Sequence, residues 1–163
     1  MRDSMPILYV EGDATRPQGQ DRRILVHVCN DLGAWGAGFV LAVTRRWPEP
    51  EARYRAWHQG REEAPFELGQ VQFVLVEENL WVANLIGQHG IRRQGGAPPI
   101  RYEAVRQGLA RVAAYALEHG ASVHMPRIGA GLAGGKWDQI STIIEEELVA
   151  RGVAVTVYDL ASP

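Results

Sequence analysis

Two glycine-rich turns, each between an apolar run and a run with helical spacing, most constrain the fold of this chain. The first occupies residues 29–39 (CNDLGAWGAGF) and the second residues 125–132 (MPRIGAGL). A helix that follows such a turn has unpaired N–H groups at its N-terminus, at the positive end of its dipole. Glycine lets a phosphate approach those groups without a Cβ in the way. The two turns together predict a binding site for a diphosphate at one end of a sheet.

The rest of the chain alternates predicted strands and helices. Short apolar runs predict strands at 7–10, 24–29, 69–76, 80–86, 121–125 and 153–158. Helical spacing predicts helices at 39–47, 49–59, 102–119 and 137–148. The runs at 69–76 and 80–86 are joined by a short polar turn with no helix between them, so the sheet is expected to be mixed. We expect one α/β domain over residues 1–163, with helices on both faces of the sheet.

The composition excludes several classes of function. Cys29 is the only cysteine, and the histidines show no paired ligand spacing, so neither an internal disulfide nor a metal site is expected. The net charge is −2 without a block of like charges, which disfavours bulk electrostatic binding of nucleic acid. No apolar stretch approaches a membrane span, and no signal-peptide pattern is present. We therefore expect a cytoplasmic protein that does not bind membranes, and a monomer.

Residues 129–134 (GAGLAG) fit the dinucleotide-binding pattern G-x-G-x-x-G, after a predicted strand and before a predicted helix. A Rossmann-type protein is therefore an alternative. Against it, the motif lies near the end of this chain, where a nucleotide-binding fold would only be starting. A Walker A motif is excluded, because no G-K-[ST] follows either turn.

Several single polar residues have two interpretations each. Asp13 follows the first strand and forms either a simple Asx turn or an acceptor for a ligand amino group. His89 lies just beyond a strand end and is either a solvated loop residue or part of the site. His27 and His124 lie within strands, which is typical of core histidines whose hydrogen bonds are satisfied.

In this order, the segments resemble a macrodomain, the ADP-ribose-binding α/β fold. The matching residues are Gly12 and Asp13, Asn30, Gly36 to Gly38, the loop at 125–132 and the closing segment at 155–158. The resemblance covers about residues 6–160. Within the family it is strongest to the subgroup of the terminal ADP-ribose protein glycohydrolase, which shares the loop Met-Pro-Arg-Ile-Gly-x-Gly-Leu. It implies a three-layer αβα macrodomain with a mixed central sheet of about six strands.

The resemblance also implies where ADP-ribose would bind. Asp13 would accept a hydrogen bond from the adenine amino group, and Tyr158 would either support the adenine ring or belong to the core edge. The two turns would face each other across the diphosphate, and Asn30 would approach the distal ribose. The implied ligand-binding residues are Gly12, Asp13, Ala14, Asn30, Gly36, Ala37, Gly38, Phe39, Arg127, Gly129, Ala130, Gly131, Leu132 and Tyr158.

The match ends at the catalytic residues. The glycohydrolase subgroup has a lysine after the strand that corresponds to 80–86 and an aspartate directly after Gly-x-Gly-Leu. This chain has Gln88 and Ala133 there. Glutamine cannot form a Schiff base and alanine cannot transfer a proton, so the covalent lysine route is closed at these positions. Lys136, the only lysine, lies near the start of the last helix and is not expected to substitute.

Two functions remain open. In the first, the protein is an ADP-ribosyl hydrolase that removes ADP-ribose from the acidic residues of modified protein, or from nucleic acid, by direct attack of water. Gln88, Asn30 and His89 are then the catalytic candidates. In the second, the protein is a non-catalytic reader of ADP-ribose. Both treat ADP-ribose as ligand or product, and neither needs a cofactor.

Overall fold

Six strands form a single sheet in the computed structural model, which describes residues 6–160. They are β1 (Leu8–Glu11), β2 (Arg23–Asn30), β3 (Val71–Glu77), β4 (Leu80–Gln88), β5 (Ser122–Met125) and β6 (Val155–Asp159). Their order across the sheet is β1-β6-β5-β2-β4-β3. Neighbouring strands are parallel except for β3 and β4, which are antiparallel. The mixed sheet is therefore confirmed.

Helices cover both faces of this sheet. They are α1 (Phe39–Arg46), α2 (Glu49–His58), α3 (Tyr102–His119) and α4 (Trp137–Glu147), and a short 3₁₀ helix (Val149–Arg151) follows α4. Because successive side chains of a strand point to opposite faces, β2 contributes to two cores. Ile24 and Val26 pack with the residues of α3 and α4. Leu25 and Cys29 pack with the residues of α1 and α2. The three-layer αβα architecture is confirmed.

The predicted boundaries differ from the observed ones by a few residues at strand ends. β4, for example, continues to Gln88 instead of ending at Ile86. Helix α3 has the predicted bounds and ends at Gly120, whose left-handed conformation (φ 62°) is typical of a helix C-terminus. Residues 1–5 and 161–163 of the predicted domain lie outside the described residues.

The Rossmann-type alternative is wrong. In a dinucleotide-binding fold the glycine-rich turn opens directly into a helix, whereas here α4 begins at Trp137, after a further loop. Gly135 closes that loop: its N–H donates to the Gly129 carbonyl at 2.7 Å, and a Cβ on Gly135 would lie 2.5 Å from the same oxygen. The glycines of this segment therefore shape a loop. The strand order is also not that of the Rossmann fold.

The sheet brings the two glycine-rich turns together. The first follows β2 and the second follows β5, and these strands are parallel neighbours. Their carboxyl ends therefore meet at one edge of the sheet, which is the usual position of a ligand site in open α/β folds. Within residues 6–160, no helix is long and apolar enough to cross a membrane.

Candidate ligand-binding site

A cavity of about 530 Å³ opens at the carboxyl ends of β2, β4 and β5. Such a volume lies within the range of small-molecule sites, roughly 300–1,000 Å³. It is lined by both glycine-rich turns, by the end of β2 and by two residues at and after the end of β4. These lining residues lie at positions 27–30, 34, 36–40, 88, 91, 126–129 and 131–133. Nine of the fourteen predicted ligand-binding residues therefore line the cavity, and five do not: Gly12, Asp13, Ala14, Ala130 and Tyr158.

Both turns contain backbone N–H groups that are unpaired at residues lining this cavity. Within the described part of the chain, the N–H groups of residues 36–40 and 131–133 donate to no other group. Helix α1 begins at Phe39 and has no acidic residue in its first turn, so the positive end of its dipole is not neutralised. The cavity wall can therefore hold an anion without a cationic side chain.

The two turns face each other closely. A Cβ built on Gly38 would lie 3.3 Å from Cδ1 of Leu132, so this side chain reaches from the second turn to the first. Leu132 is nevertheless 74% exposed, because it lies over the gap between the turns. The predicted arrangement, with the turns on opposite sides of one cleft, is what the structure contains.

Arg127 holds the second turn to the end of β6. Its guanidinium donates to both carboxylate oxygens of Asp159, at 2.7 and 3.0 Å. It also lies over the rings of Tyr9 and Trp137, 5.2 and 5.1 Å from their centroids. The hydrogen bonds with Asp159 raise the pKa of Arg127. Among residues 6–160, Arg127 is the only one that lines the cavity with a charged side chain, and that charge is already paired with Asp159.

The amide side chains of Asn30 and Gln88 differ in how many of their polar atoms are hydrogen-bonded. Asn30 Oδ1 accepts hydrogen bonds from the N–H groups of Leu32 and Ala34, and its Nδ2 donates to the Ala34 carbonyl. Asn30 therefore stabilises the backbone conformation of the first turn. Gln88 is half-buried and uses only Nε2, which donates to the Gly90 carbonyl at 3.1 Å. Its Oε1 has no donor among residues 6–160, which leaves an acceptor at the cavity wall.

His89 lies beside the cavity and does not line it. Its Nδ1 is 2.7 Å from Oδ2 of Asp31, and the Gly90 N–H donates to Oδ1 of the same carboxylate. Partial burial opposes ionisation of Asp31, but the hydrogen bonds from Gly90 and His89 lower its pKa. Asp31 was not predicted from the sequence as this partner. The available signal was that residues 31 and 89 each follow the end of one of two neighbouring strands.

The residues predicted for the adenine end lie outside the cavity lining. Asp13 is exposed, and its Oδ1 accepts hydrogen bonds from the N–H and hydroxyl of Thr15, as in an Asx turn. Its Oδ2 has no partner among the described residues. Tyr158 is only 5% exposed and its hydroxyl pairs with His124, which favours the core-edge interpretation over an adenine platform. A ligand role for Gly12, Asp13 and Ala14 stays a prediction.

The two buried histidines, His27 and His124, differ in how many of their ring nitrogens are hydrogen-bonded. His124 has both ring nitrogens paired, with the hydroxyls of Ser122 and Tyr158, as predicted for a core histidine. His27 has one ring nitrogen paired, Nε2 with Asn84, whereas Nδ1 has no partner in the described part of the chain, so the prediction was wrong for His27. Burial lowers the pKa of each imidazole to about 4. His27 also lines the cavity.

The described residues of the cavity lining include no lysine, serine, threonine or carboxylate that could act as a nucleophile. Burial raises the pKa of the Cys29 thiol, which keeps it protonated and inert. Ala133 lines the cavity at the position where the glycohydrolase subgroup has its aspartate. Lys136 is exposed and does not line the cavity. The site can bind an anion with its backbone, but it lacks the lysine–aspartate pair.

No protein-family model matches the chain. A solved structure of a macrodomain protein from Streptomyces coelicolor is 56% identical, with a TM-score of 0.84, and the match covers 95% of this chain and 99% of that one. The chain belongs to the macrodomain family. The macrodomain is also similar to a protein of unknown function from Bacteroides thetaiotaomicron, with 57% identity and a TM-score of 0.93, over 97% of this chain and 100% of that one.

Curated relatives of this macrodomain include larger proteins and one of similar length. The mouse chromodomain-helicase-DNA-binding protein 1-like is 32% identical over 165 residues, which cover 96% of this chain and 18% of the relative. The bovine ADP-ribose glycohydrolase OARD1 is 28% identical over 155 residues, which cover 94% of this chain and 91% of the relative. A DNA ADP-ribosyl glycohydrolase from Thermus aquaticus is 29% identical over 137 residues, 83% of this chain and 37% of the relative. The macrodomain thus spans less than a fifth of the length of the helicase-like relative.

Proposed function

We propose that this macrodomain binds ADP-ribose in the cavity, with the diphosphate between the two glycine-rich turns. One observation carries the proposal: residues 36–40 and 131–133, which line the same cavity in two facing turns, have N–H groups without an acceptor among residues 6–160. Each phosphate of a diphosphate needs several donors, and two separate runs of donors suit two linked phosphates. The similarity to relatives named as glycohydrolases of ADP-ribose supports the choice of ligand.

The polar groups at the two ends support one orientation of the ligand. Asn30 and Gln88 lie at the β2 and β4 side of the cavity, and we assign the distal ribose to this end. Asp13 lies outside the cavity lining and retains a free Oδ2, which suits the adenine amino group. Gly12, Ala14 and the end of β6 would then flank the base.

Calorimetry with ADP-ribose, ADP and NAD tests this assignment. We expect ADP-ribose to bind, and to bind more tightly than ADP, because ADP lacks the distal ribose that the cavity would enclose. The absence of binding at millimolar ADP-ribose would refute the proposal. Preferential binding of NAD would contradict the choice of ligand and leave only a diphosphate site.

We further propose that the macrodomain hydrolyses ADP-ribosyl linkages by direct attack of water. The bond from C1″ of the distal ribose to a carboxylate oxygen, or to an atom of a nucleobase, breaks and its electron pair leaves with that group. Water forms the new bond to C1″ and loses its proton to solvent. Gln88 Oε1, which has no donor among the described residues, would accept a hydrogen bond from the water and orient it. Asn30 would hold the first turn in place. His89, which lies beside the cavity, would assist the attack of water.

The substrates for the test are a protein ADP-ribosylated on acidic residues and ADP-ribosylated DNA, with free ADP-ribose as the measured product. We expect Gln88→Ala to lower the release rate by about 100-fold, the usual effect of losing orientation, without a matching loss of ADP-ribose affinity. Gln139→Ala, on the exposed surface of α4, is the matched control and should keep the wild-type rate. If the wild-type protein releases nothing from either substrate, the hydrolase proposal is refuted and the macrodomain is a reader of ADP-ribose.

A further inference from the structure

A chain of side-chain hydrogen bonds connects the protein surface with the cavity. It begins at Glu62, whose carboxylate accepts from Gln72 Nε2 at 2.9 Å. Gln72 Oε1 accepts from Asn84 Nδ2 at 2.9 Å, and Asn84 Oδ1 lies 2.6 Å from His27 Nε2. The last member, His27, lines the cavity. Three members of this hydrogen-bond series, Gln72, Asn84 and His27, are buried, so the series belongs to the protein interior.

The direction of each hydrogen bond in this series is determined by neighbouring groups that can only accept: a carboxylate and two backbone carbonyls. Burial opposes ionisation of Glu62, but hydrogen bonds from Arg53 and Gln72 lower its pKa, so it is a carboxylate. Gln72 Nε2 also donates to the backbone carbonyl of Arg53. Asn84 Nδ2 donates both to the Pro50 carbonyl and to Gln72. Neither amide can be turned around without placing its oxygen against another acceptor.

The tautomer of His27 follows from this direction. Asn84 presents its oxygen to His27, so the imidazole must carry its hydrogen on Nε2. Burial holds the pKa of His27 near 4, so the ring is neutral at pH 7 and carries a single N–H. Nδ1 is therefore a hydrogen-bond acceptor, and it has no donor among residues 6–160. A buried acceptor without a donor is unfavourable, so a donor is expected at this atom.

We infer that Nδ1 of His27 accepts a hydrogen bond from a hydroxyl group of the distal ribose of bound ADP-ribose. The inference rests on the proposed function and assigns a further residue to its binding site. The unpaired N–H groups of the glycine-rich turns suit the phosphate oxygens, whereas Nδ1 of His27 is an acceptor, which suits a sugar hydroxyl. His27 lies in the same cavity as Gln88, and Asp13 lies outside it, so the hydroxyl belongs to the distal ribose.

The contact requires a movement of one side chain. Nδ1 is buried, and the rings of Trp35 and Phe39 lie beside the imidazole, 5.3 and 6.0 Å between ring centroids. Of these two, Phe39 also lines the cavity and is only partly buried. We therefore expect the Phe39 side chain to move and expose Nδ1 when the ribose enters.

The ring nitrogens of His27 can be observed directly by ¹⁵N nuclear magnetic resonance of the wild-type protein. We expect the Nε2–H tautomer before ligand is added. On saturation with ADP-ribose, the Nδ1 resonance should shift upfield, as an unprotonated nitrogen does when it accepts a hydrogen bond, and Nε2 should stay unchanged. ADP should leave Nδ1 unshifted. An Nδ1–H tautomer, an unshifted Nδ1 at saturation or an equal shift with ADP would each overturn the inference.

Calorimetry on variants gives an independent measurement. We expect His27→Leu to weaken ADP-ribose binding about 3- to 10-fold, the effect of one neutral hydrogen bond, with no change for ADP. His124→Leu removes a second buried histidine that does not line the cavity, and should keep the wild-type ratio of the two affinities. If ADP-ribose fails to bind the wild-type protein, the proposed function fails and this inference with it. Binding without a shift at Nδ1 refutes this inference alone.

Discussion

The substitution Gly131→Ala in the second turn should lower the affinity for ADP-ribose without destabilising the folded protein. Gly131 lines the cavity, and a Cβ built there meets nothing within 4 Å. Its φ also lies outside the left-handed region. The folded protein can therefore accept the methyl group, and the lower entropy of the unfolded chain should stabilise it by about 0.4–1 kcal/mol.

The same methyl group should weaken ligand binding. The N–H of Gly131 has no acceptor within residues 6–160, and we assign it to a phosphate oxygen. A phosphate that is kept away from this N–H loses a charge-assisted hydrogen bond worth about 1.5–3 kcal/mol. We therefore expect the affinity for ADP-ribose to fall about 10- to 150-fold, since 1.4 kcal/mol corresponds to a factor of ten. Calorimetry measures the affinity, and urea denaturation measures the free energy of unfolding.

Gly120→Ala is the matched control because it should have the opposite effects. Gly120 ends α3 far from the cavity lining, has open space around a built Cβ, and has a φ of 62°. Alanine in this left-handed conformation should cost about 1–2 kcal/mol of stability and leave the affinity unchanged. If Gly131→Ala folds normally and binds ADP-ribose as the wild type does, the diphosphate does not lie against the second turn and the argument from the unpaired N–H groups is wrong.

Three further predictions concern the surroundings of the site. The free energy of unfolding should fall as pH falls from 6.5 towards 4, because His27 and His124 take up protons on unfolding but stay neutral in the folded protein. Each histidine should lower the free energy of unfolding by about 2 kcal/mol at pH 5, as measured by urea denaturation across pH. Tyr158→Phe should cost about 1–3 kcal/mol in the same assay, since it leaves the buried His124 Nδ1 without a donor. Arg127→Met should change stability by less than about 1 kcal/mol, because the ion pair with Asp159 is exposed, but should weaken ADP-ribose binding in calorimetry by releasing the second turn. A stability that does not vary between pH 6.5 and 5, or an unchanged affinity in Arg127→Met, would contradict the respective argument.

Most of the architecture could be predicted because it depends on local periodicity. The apolar spacing of Val105, Leu109 and Val112 was sufficient to predict α3, since a helix that covers a sheet buries one stripe. The short turn between β3 and β4 was sufficient to predict a mixed sheet. The strand ends were less certain, because a backbone hydrogen bond to a neighbouring strand can extend a strand past its apolar residues, as at Gln88.

The site was predicted in part. Gly36, Gly131 and Gln88 line one cavity, as expected from turns and strand ends at the same edge. Tyr158 was assigned to two alternatives, and its burial and its hydrogen bond with His124 favour the core edge. His27 was interpreted as an ordinary core histidine, because its position within an apolar strand carries no information about which ring nitrogen is paired.

The sequence by itself determined the order of the elements, the two turns and the absence of a lysine and an aspartate at the positions of the glycohydrolase pair. These are properties of residue type and spacing, which the fold does not change. The tertiary structure alone decided which polar atoms around the cavity have no partner among residues 6–160: the N–H groups of the two turns, Gln88 Oε1 and His27 Nδ1. The reason is that hydrogen-bond satisfaction depends on partners from distant parts of the chain, such as Asn84 for His27.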